Sequence, residues 1–339
     1  MLSFKICARR IWKEIDRSKR ILLHLHPSPD GDCTGSALAF YHVLTSLGKE
    51  VTLIQGDSEF PKNLLSLPGA DKITPKNITQ IDMSQYDLFI ILDSSSPKQI
   101  TKISELKFPK KLRTIVIDHH QSNDKFAKLN LVLPSYSSTA QLVYELLTYK
   151  KIKITPKVAA CIYVGIYTDT GGFRYFNPTF KTFNIASQLA KIYPKFSKLI
   201  FDIENNDSAD RLKFISILLG SVETFLANHV AVAKISYQDI TKNNLNVNSI
   251  GGYSEIANTI KAVTGWNIAF TLVELQPGVI KVSFRTRDSE TYDMSKIALA
   301  TKCGGGHKAA AGATLNMSLD KAQELILSII KKLYSKIDQ

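Results

Sequence analysis

Several features that would assign a compartment or a cofactor are scarce in this chain of 339 residues. It has only four cysteines, none in a Cys-x-x-Cys pair, which argues against a zinc ribbon and against a disulfide framework. No apolar run approaches the roughly 20 residues that span a bilayer. The basic N-terminal segment is not followed by the apolar stretch of a secretion signal. We therefore expect a protein of the reducing, cytoplasmic compartment without a membrane anchor.

The composition indicates folded domains and an anionic partner. Hydrophobic residues make up 44% of the chain and charged residues 22%, values typical of globular proteins. The length favours two domains. The net charge of +13 is spread over both halves, and such a surface attracts phosphates. A lysine-rich solvated surface would produce the same charge, so the charge does not identify the ligand.

Short apolar runs alternate with helical patterns over the first 170 residues. Strands are predicted at 21–25, 51–54, 88–92 and 114–117. Helices are predicted at 34–47, ending at Gly48, and at 139–147, with a further helical run at 161–168. This alternation predicts βαβ units, and hence an α/β fold with a parallel sheet in the N-terminal domain.

The second half has a different pattern. Residues 184–225 are predicted to be helical, with a polar interruption at 204–208, and strands follow at 230–235, 266–275 and 279–287. A closing helix is predicted at 319–337, with Ser318 as its N-cap. We therefore predict a domain with the parallel sheet at 1–185, a helical linker at 186–227, and a smaller α/β domain with a mixed sheet at 228–339.

Acidic and histidine residues follow the predicted strands and helices of the first domain. In open parallel sheets, binding residues cluster beyond the carboxyl ends of the strands. An aspartate there is more often a turn residue or a helix cap, but several together would repel one another unless a cation neutralised them. We therefore predict a metal site. Its candidate residues are His26, Asp30, Asp32, Asp93, Asp118, His119, His120 and Asp169.

The donor types indicate which ion this site would bind. Carboxylates and imidazoles without thiolates favour Mn²⁺ over structural zinc, with Mg²⁺ as a substitute. The number of candidate ligands is sufficient for two ions, which could act on both oxygens of a phosphoryl displacement.

Two segments of the second domain suggest phosphate binding. Gly304, Gly305 and Gly306 precede His307, and we expect a helix to begin at the small residues that follow, with its positive end directed at an anion. A flexible turn is the alternative. In the strand at 279–287, Ser283, Arg285 and Arg287 share one face that suits phosphate oxygens or, alternatively, solvent. Arg174 is a weaker candidate for the same task.

Taken together, these motifs resemble those of the DHH phosphoesterase family, in the branch with a DHH-associated C-terminal domain. The matching segments run from about Ile21 to Leu333. The resemblance implies that His26 and Asp30 hold one ion, and that Asp93 bridges it to the other. It implies that the second ion is held by Asp32, His119 and Asp169. His120 would lie beside the reacting phosphate, and Asp118 would orient the two histidines.

Within the family, the length of this chain is similar to that of the nano-RNase type. This likeness implies a nuclease that hydrolyses oligoribonucleotides of a few residues and dephosphorylates 3′-phosphoadenosine 5′-phosphate. Ser28 stands where the family often has Asn, and Cys33 and Cys303 replace common Ala and Gly residues. These departures leave the ligands intact and leave the substrate preference open.

Three other functions stay open. They are a RecJ-like single-strand 5′-exonuclease, a hydrolase of linear dinucleotides derived from cyclic ones, and a nucleotide-binding regulator without turnover. A clamp formed by the second domain across a cleft would favour short RNA or DNA oligonucleotides and nucleotides as partners. The sequence does not decide between RNA and DNA, between the two directions of attack, or between a monomer and a homodimer.

Overall fold

The computed structural model describes residues 4–175, 177–246, 250 and 255–338. The chain divides after Asn206 into two compact units. Each unit has its own sheet and its own hydrophobic core, as a chain of this length allows. The predicted α/β class is confirmed, with a parallel sheet in the first unit and a mixed sheet in the second.

The first unit is built on a parallel five-stranded sheet. Its strands are β1 (Arg20–His24), β2 (Glu50–Ile54), β3 (Leu88–Leu92), β4 (Arg113–Asp118) and β5 (Leu129–Val132). Their order is β2-β1-β3-β4-β5. Every residue of β3 is buried, which is why this central strand is a continuous apolar run rather than an alternating one. The edge strand β5, which is only half buried, was missing from the sequence prediction.

Helices cover this sheet. They are α1 (Phe4–Asp16), α2 (Gly31–Ser46), α3 (Thr139–Tyr149), α4 (Pro156–Asp169), α5 (Phe180–Ile192) and α6 (Phe196–Glu204). Leu189 of α5 and Ile203 of α6 are buried in the core of the first unit. None of the helices in the described part of the chain has both the length and the hydrophobicity of a membrane span.

Helices α2 and α4 approach closely because glycines line their contact. A Cβ atom on Gly35 would lie 2.3 Å from the carbonyl oxygen of Cys161 in α4. A Cβ atom on Gly31 would lie 2.4 Å from Oγ1 of Thr168. Gly31 precedes Asp32 and Thr168 precedes Asp169. The close approach of α2 and α4 therefore places Asp32 and Asp169 beside each other.

The second unit contains a six-stranded mixed sheet. Its strands are β6 (Glu223–Phe225), β7 (Val230–Ile235), β8 (Ile268–Gln276), β9 (Val279–Thr286), β10 (Gly304–Gly306) and β11 (Ala310–Asn316). Their order is β10-β11-β9-β8-β7-β6, in which β7 and β8 are parallel and the other pairs are antiparallel. The helices are α7 (Ala209–Gly220), α8 (Tyr237–Lys242), α9 (Ile256–Ile260), α10 (Met294–Ala300) and α11 (Leu319–Leu333).

Two predictions for this unit are wrong. The small residues after His307 form strand β11, not a helix, because alternate residues of that strand are buried and pair with β9, and this pairing overrides the helix propensity of alanine. The predicted helical region also ends early, since Glu223–Phe225 pairs with β7. Ser318 does precede α11, but its side chain makes no capping hydrogen bond. The predicted domain limits at 185 and 227 stay a prediction.

We predict that Gly35→Ala destabilises the first unit. The added methyl group would force α2 and α4 apart, an overpacking that costs about 1–3 kcal/mol. Thermal unfolding followed by circular dichroism should show a lower Tm. The matched control is Gly220→Ala in α7, where a Cβ atom would meet nothing within 4 Å and alanine favours the helix. An equal Tm for both variants would contradict the close contact.

Candidate metal centre

The carboxyl edge of the parallel sheet brings seven of the predicted residues into one cluster. Asp93 directly follows β3, and His119 and His120 directly follow β4. Asp32 lies in the first turn of α2, and Asp169 is the last residue of α4. Within each of three overlapping groups, the candidate ligand atoms lie within 4.8 Å of one another. The groups are His26–Asp30–Asp93, Asp32–His119–Asp169 and Asp93–His119–His120.

Asp93 is the centre of this cluster. Its side chain is 3% exposed, and imidazole nitrogens of His26, His119 and His120 lie 3.5, 3.8 and 3.6 Å from its carboxylate oxygens. Burial alone would raise the pKa of Asp93, but the hydrogen bond from His26 and the charge of His120 lower it. The backbone φ of +53° places this residue in the left-handed region, where aspartate is tolerated better than most residues. Asp93 is therefore an ionised carboxylate held in an uncommon conformation.

The first turn of α3 holds two of the carboxylates. The backbone N–H groups of Thr139 and Ala140 donate to the two oxygens of Asp32, at 2.7 and 2.8 Å. The hydroxyl of Thr139 donates to Oδ1 of Asp93 at 3.0 Å. Because the N-terminal end of a helix carries partial positive charge, this turn stabilises negative charge at the cluster. It also fixes the positions of Asp32 and Asp93 relative to each other.

His119 provides the test of whether a cation fits here. Its Nδ1 donates to the carbonyl oxygen of Tyr136 at 3.3 Å. Its Nε2 is buried without a hydrogen-bond partner among the described residues, although Asp169 Oδ2 lies 3.3 Å away. Burial lowers the pKa of His119, so the ring is neutral with a lone pair on Nε2. This arrangement is that of a metal-ligating histidine oriented by a backbone carbonyl.

The carboxylates beside His119 also indicate a site for a cation. Burial, together with the charges of Asp93 and Asp169, raises the pKa of Asp32 well above its usual range. Burial and the charge of Asp93 likewise raise the pKa of Asp169. These groups can all be ionised only if a cation offsets their repulsion. The residues present therefore fit a divalent metal ion.

His120 differs from the other histidines because it is paired with a buried aspartate. Its Nδ1 donates to Oδ1 of Asp118 at 2.8 Å, and Asp118 is fully buried. Burial lowers the pKa of His120, but the hydrogen bond to Asp118 and the charge of Asp93 outweigh it and raise the pKa to about 9. His120 is therefore positively charged at neutral pH. An imidazolium beside the carboxylate cluster is suited to bind an anionic oxygen.

The remaining predicted residues lie outside this cluster. Arg174 is exposed in the turn after α4, where its Nε donates to the carbonyl oxygen of Gly171 at 2.7 Å. In the second unit, Ser283 is buried on β9, and Arg285 Nε donates to Asn258 Oδ1 at 3.2 Å. Arg287 follows the end of β9 and donates to the carbonyl oxygens of residues 261 and 262. Their roles in substrate binding stay predictions.

The glycine loop has a packing role that the sequence did not suggest. A Cβ atom on Gly304 would lie 2.5 Å from the carbonyl oxygen of Gly312. Gly306 has a φ of +144°, and a Cβ atom there would lie 2.5 Å from Cα of Ala311. Both glycines are therefore needed for the close pairing of β10 with β11. Gly305 has open space around it, and His307 is exposed.

Comparison with protein families matches this arrangement to a known pair of domains. Residues 20–166 match the DHH family, N-terminal domain, and residues 227–335 match the DHHA1 domain. The chain therefore contains a DHH family domain and a DHHA1 domain. The DHH match includes six of the seven clustered residues, all but Asp169, and the DHHA1 match includes the glycine loop.

The likeness to individual DHH proteins extends over nearly the whole chain. The bifunctional oligoribonuclease and PAP phosphatase NrnA of Thermus thermophilus is 29% identical over 317 residues, which cover 92% of this chain and 89% of that protein. The protein of the same name from Mycoplasma pneumoniae is 28% identical over 314 residues, 90% of each chain. The crystal structure of an exopolyphosphatase-related protein from Bacteroides fragilis has a TM-score of 0.88 at 25% identity, covering 99% of this chain and 98% of that one.

The sequence analysis missed three residues that hold side chains of the metal cluster or its neighbour Asp118 in position. Thr139 and Ala140 hold Asp32 from more than 100 positions away, and Asn123 donates to Asp118 at 2.6 Å. The run of Ser137, Ser138 and Thr139 before a helical pattern is an N-cap signal, but this signal does not reveal which carboxylate the helix meets.

We predict that the hydroxyl of Thr139 contributes to metal binding. Thr139→Val keeps the branched shape but leaves Asp93 without this donor, so divalent-ion affinity should fall about ten- to a hundredfold, as for other groups that orient ligands. Titration calorimetry with Mg²⁺ or Mn²⁺ measures this change. Thr139→Ser keeps the hydroxyl and should restore most of the affinity. Equal affinities for Thr139→Val and the unsubstituted protein would remove Thr139 from this role.

Proposed function

We propose that this protein is a metal-dependent phosphoesterase that hydrolyses short oligoribonucleotides to mononucleotides and dephosphorylates 3′-phosphoadenosine 5′-phosphate. One observation carries the proposal. Three overlapping groups of carboxylates and imidazoles lie at the carboxyl edge of the sheet, each with its ligand atoms within 4.8 Å of one another, and Asp32 and Asp93 among them are buried. Relatives that align with about nine-tenths of this chain are named bifunctional oligoribonuclease and PAP phosphatase.

Two divalent ions complete the proposed site. His26, Asp30 and Asp93 would hold one ion, and Asp32, His119 and Asp169 would hold the other. Asp93 Oδ1 also lies 3.8 Å from His119 Nε2, which supports the proposal that Asp93 would serve both ions. The absence of a thiolate from these groups supports Mn²⁺, with Mg²⁺ as a substitute. The chemistry that bound divalent ions supply is polarisation of a phosphoryl oxygen and acidification of a water molecule. The four cysteines are free, which supports a reducing cytoplasmic location.

The remaining residues of the site orient the substrate and offset its charge. His120, charged through its bond to Asp118, binds a nonbridging oxygen of the reacting phosphate and stabilises the negative charge that develops there. Asp118 accepts hydrogen bonds from the backbone N–H groups of His119 and His120, at 2.8 and 3.3 Å. It thereby orients both histidines through a single carboxylate.

A group of cations in the second unit supports a phosphate-binding role for that unit. Burial, followed by the charges of Arg285 and Arg287, lowers the pKa of Lys261. An anion between these side chains would relieve their repulsion. Ser283 lies on the same strand as Arg285. We assign the non-reacting phosphates of the substrate to these residues and to Gly304, Gly305, Gly306 and His307, with Arg174 as an additional contact from the first unit.

We predict that the enzyme prefers substrates of about two to five nucleotides. Binding energy from a few fixed phosphate contacts is then used to orient the scissile bond rather than spread along a strand. Arg285→Ala and His307→Ala should each lower kcat/KM on a dinucleotide by about 1.5–3 kcal/mol, the value of a charged hydrogen bond. Steady-state hydrolysis of a dinucleotide, a pentanucleotide and a strand of roughly two dozen nucleotides measures both effects.

The control is Lys332→Ala, which removes one exposed positive charge from α11 of the same unit. Its kcat/KM should match that of the unsubstituted protein. Degradation of the long strand as fast as the dinucleotide would favour a RecJ-like exonuclease. If only linear dinucleotides were hydrolysed, the protein would be a hydrolase of linear dinucleotides derived from cyclic ones. Nucleotide binding without hydrolysis in Mn²⁺ would indicate a regulator.

A further inference from the structure

Asn123 lies in the loop after β4 and belongs to none of the ligand groups. Its side chain is almost fully buried, and its Nδ2 donates to Asp118 Oδ2 at 2.6 Å and to the carbonyl oxygen of Ser94 at 3.1 Å. Its Oδ1 accepts the backbone N–H of Lys125 at 2.7 Å. Since a backbone N–H can only donate, this contact identifies the Asn123 oxygen, and the NH₂ group must face Asp118.

The bond to Asp118 completes the surroundings of a fully buried carboxylate. Oδ1 of Asp118 accepts hydrogen bonds from the backbone and the ring of His120 and from the backbone of His119. Oδ2 accepts the amide of Asn123. Without that amide, Oδ2 would lose this donor, and only the contacts of Oδ1 would orient the carboxylate about its Cβ–Cγ bond. A rotation of Asp118 would move its acceptor away from Nδ1 of His120.

The bond to Ser94 extends this constraint to the neighbouring strand. Ser94 is buried and directly follows Asp93, whose left-handed backbone has to be held by its surroundings. Asn123 therefore connects the segment after β3 with the carboxylate at the end of β4. The backbone N–H of Asp124 adds a bond to the carbonyl oxygen of Ser95 at 2.8 Å. One amide thus fixes two strand ends that carry the site.

We propose that Asn123 is a positioning residue for phosphoester hydrolysis, which holds Asp118 and, through it, His120 in the reactive orientation. This inference rests on the proposed function. A residue with this role affects the reaction step rather than substrate or metal binding. A residue that only anchored its loop would lower stability and leave kcat unchanged. The two roles therefore differ in what each measurement should show.

The test compares Asn123→Ala with Asn130→Ala. Asn130 is an asparagine whose side chain, among the described residues, bonds only to the backbone of residue 127. Its loss removes two loop hydrogen bonds without touching Asp118. Asn123→Ala should lower kcat on a dinucleotide about ten- to a hundredfold, the effect typical of residues that orient catalytic groups. Its KM and Mn²⁺ affinity should stay within about twofold of the unsubstituted protein. Asn130→Ala should lower Tm and leave kcat unchanged.

A double-mutant cycle tests whether Asn123 acts through Asp118. In the Asp118→Ala background, Asn123→Ala should cause no further loss of kcat, because the group it orients is absent. The same fold-loss in both backgrounds would overturn the proposal, as would unchanged kcat in Asn123→Ala or an equal loss in Asn130→Ala. Those outcomes would leave the proposed function intact. Absence of hydrolysis by the unsubstituted protein would instead overturn the proposed function, and the role of Asn123 with it.

Should Asn123→Ala fold poorly, two further measurements give the answer. Asn123→Ser keeps a small polar side chain that is too short to reach both Asp118 and Ser94, and it should show the same selective loss of kcat. In the Mg²⁺-loaded protein, the Nδ1–H proton of His120 should give a downfield NMR signal that shifts or broadens in either variant. An unchanged signal would overturn the proposal.

Discussion

The mutual repulsion of the clustered aspartates is the constraint on which the first unit depends. Asp32 and Asp93 are buried, and Asp169 lies in the same ligand group as Asp32. Burial removes the water that would otherwise screen their charges. The protein offsets part of this charge itself. The first turn of α3 donates to Asp32 and Asp93, and charged His120 lies beside Asp93. The remaining negative charge, together with the lone pair on His119 Nε2, fits a bound cation.

Two separate features of the fold bring these charges together, the parallel sheet and the contact between α2 and α4. The parallel sheet places Asp93 and the Asp118–His119–His120 triplet at the ends of adjacent strands, where their spacing follows from the pairing of β3 with β4. The helices bring Asp32 and Asp169, because the glycine-lined contact of α2 with α4 places these two residues beside each other. The sheet alone would not bring Asp32 and Asp169 to the cluster, and the helix contact alone would not bring Asp93 and the two histidines. The site is therefore as rigid as the packing that builds it.

Much of the fold and of the candidate site could be predicted from the sequence. The apolar runs identified β1 to β4 and most helices, and the aspartates that follow those runs had to converge because parallel strands end at one edge. Strand β5 was missed because only Leu131 and Val132 of its four residues are buried. Strand β11 was assigned as a helix because alanine carries little β signal, and its strand character comes from pairing with β9. Contacts such as Thr139 with Asp32 depend on packing between distant segments, which one sequence does not reveal.

The position of bound divalent ions shows whether the clustered carboxylates and histidines form a metal centre. Crystals grown with Mn²⁺ and measured at the manganese absorption edge should show two anomalous peaks per chain. One peak should lie among His26, Asp30 and Asp93, and the other among Asp32, His119 and Asp169. A cluster without anomalous density at saturating Mn²⁺, or manganese bound only at other residues, would show that these residues do not form a metal centre.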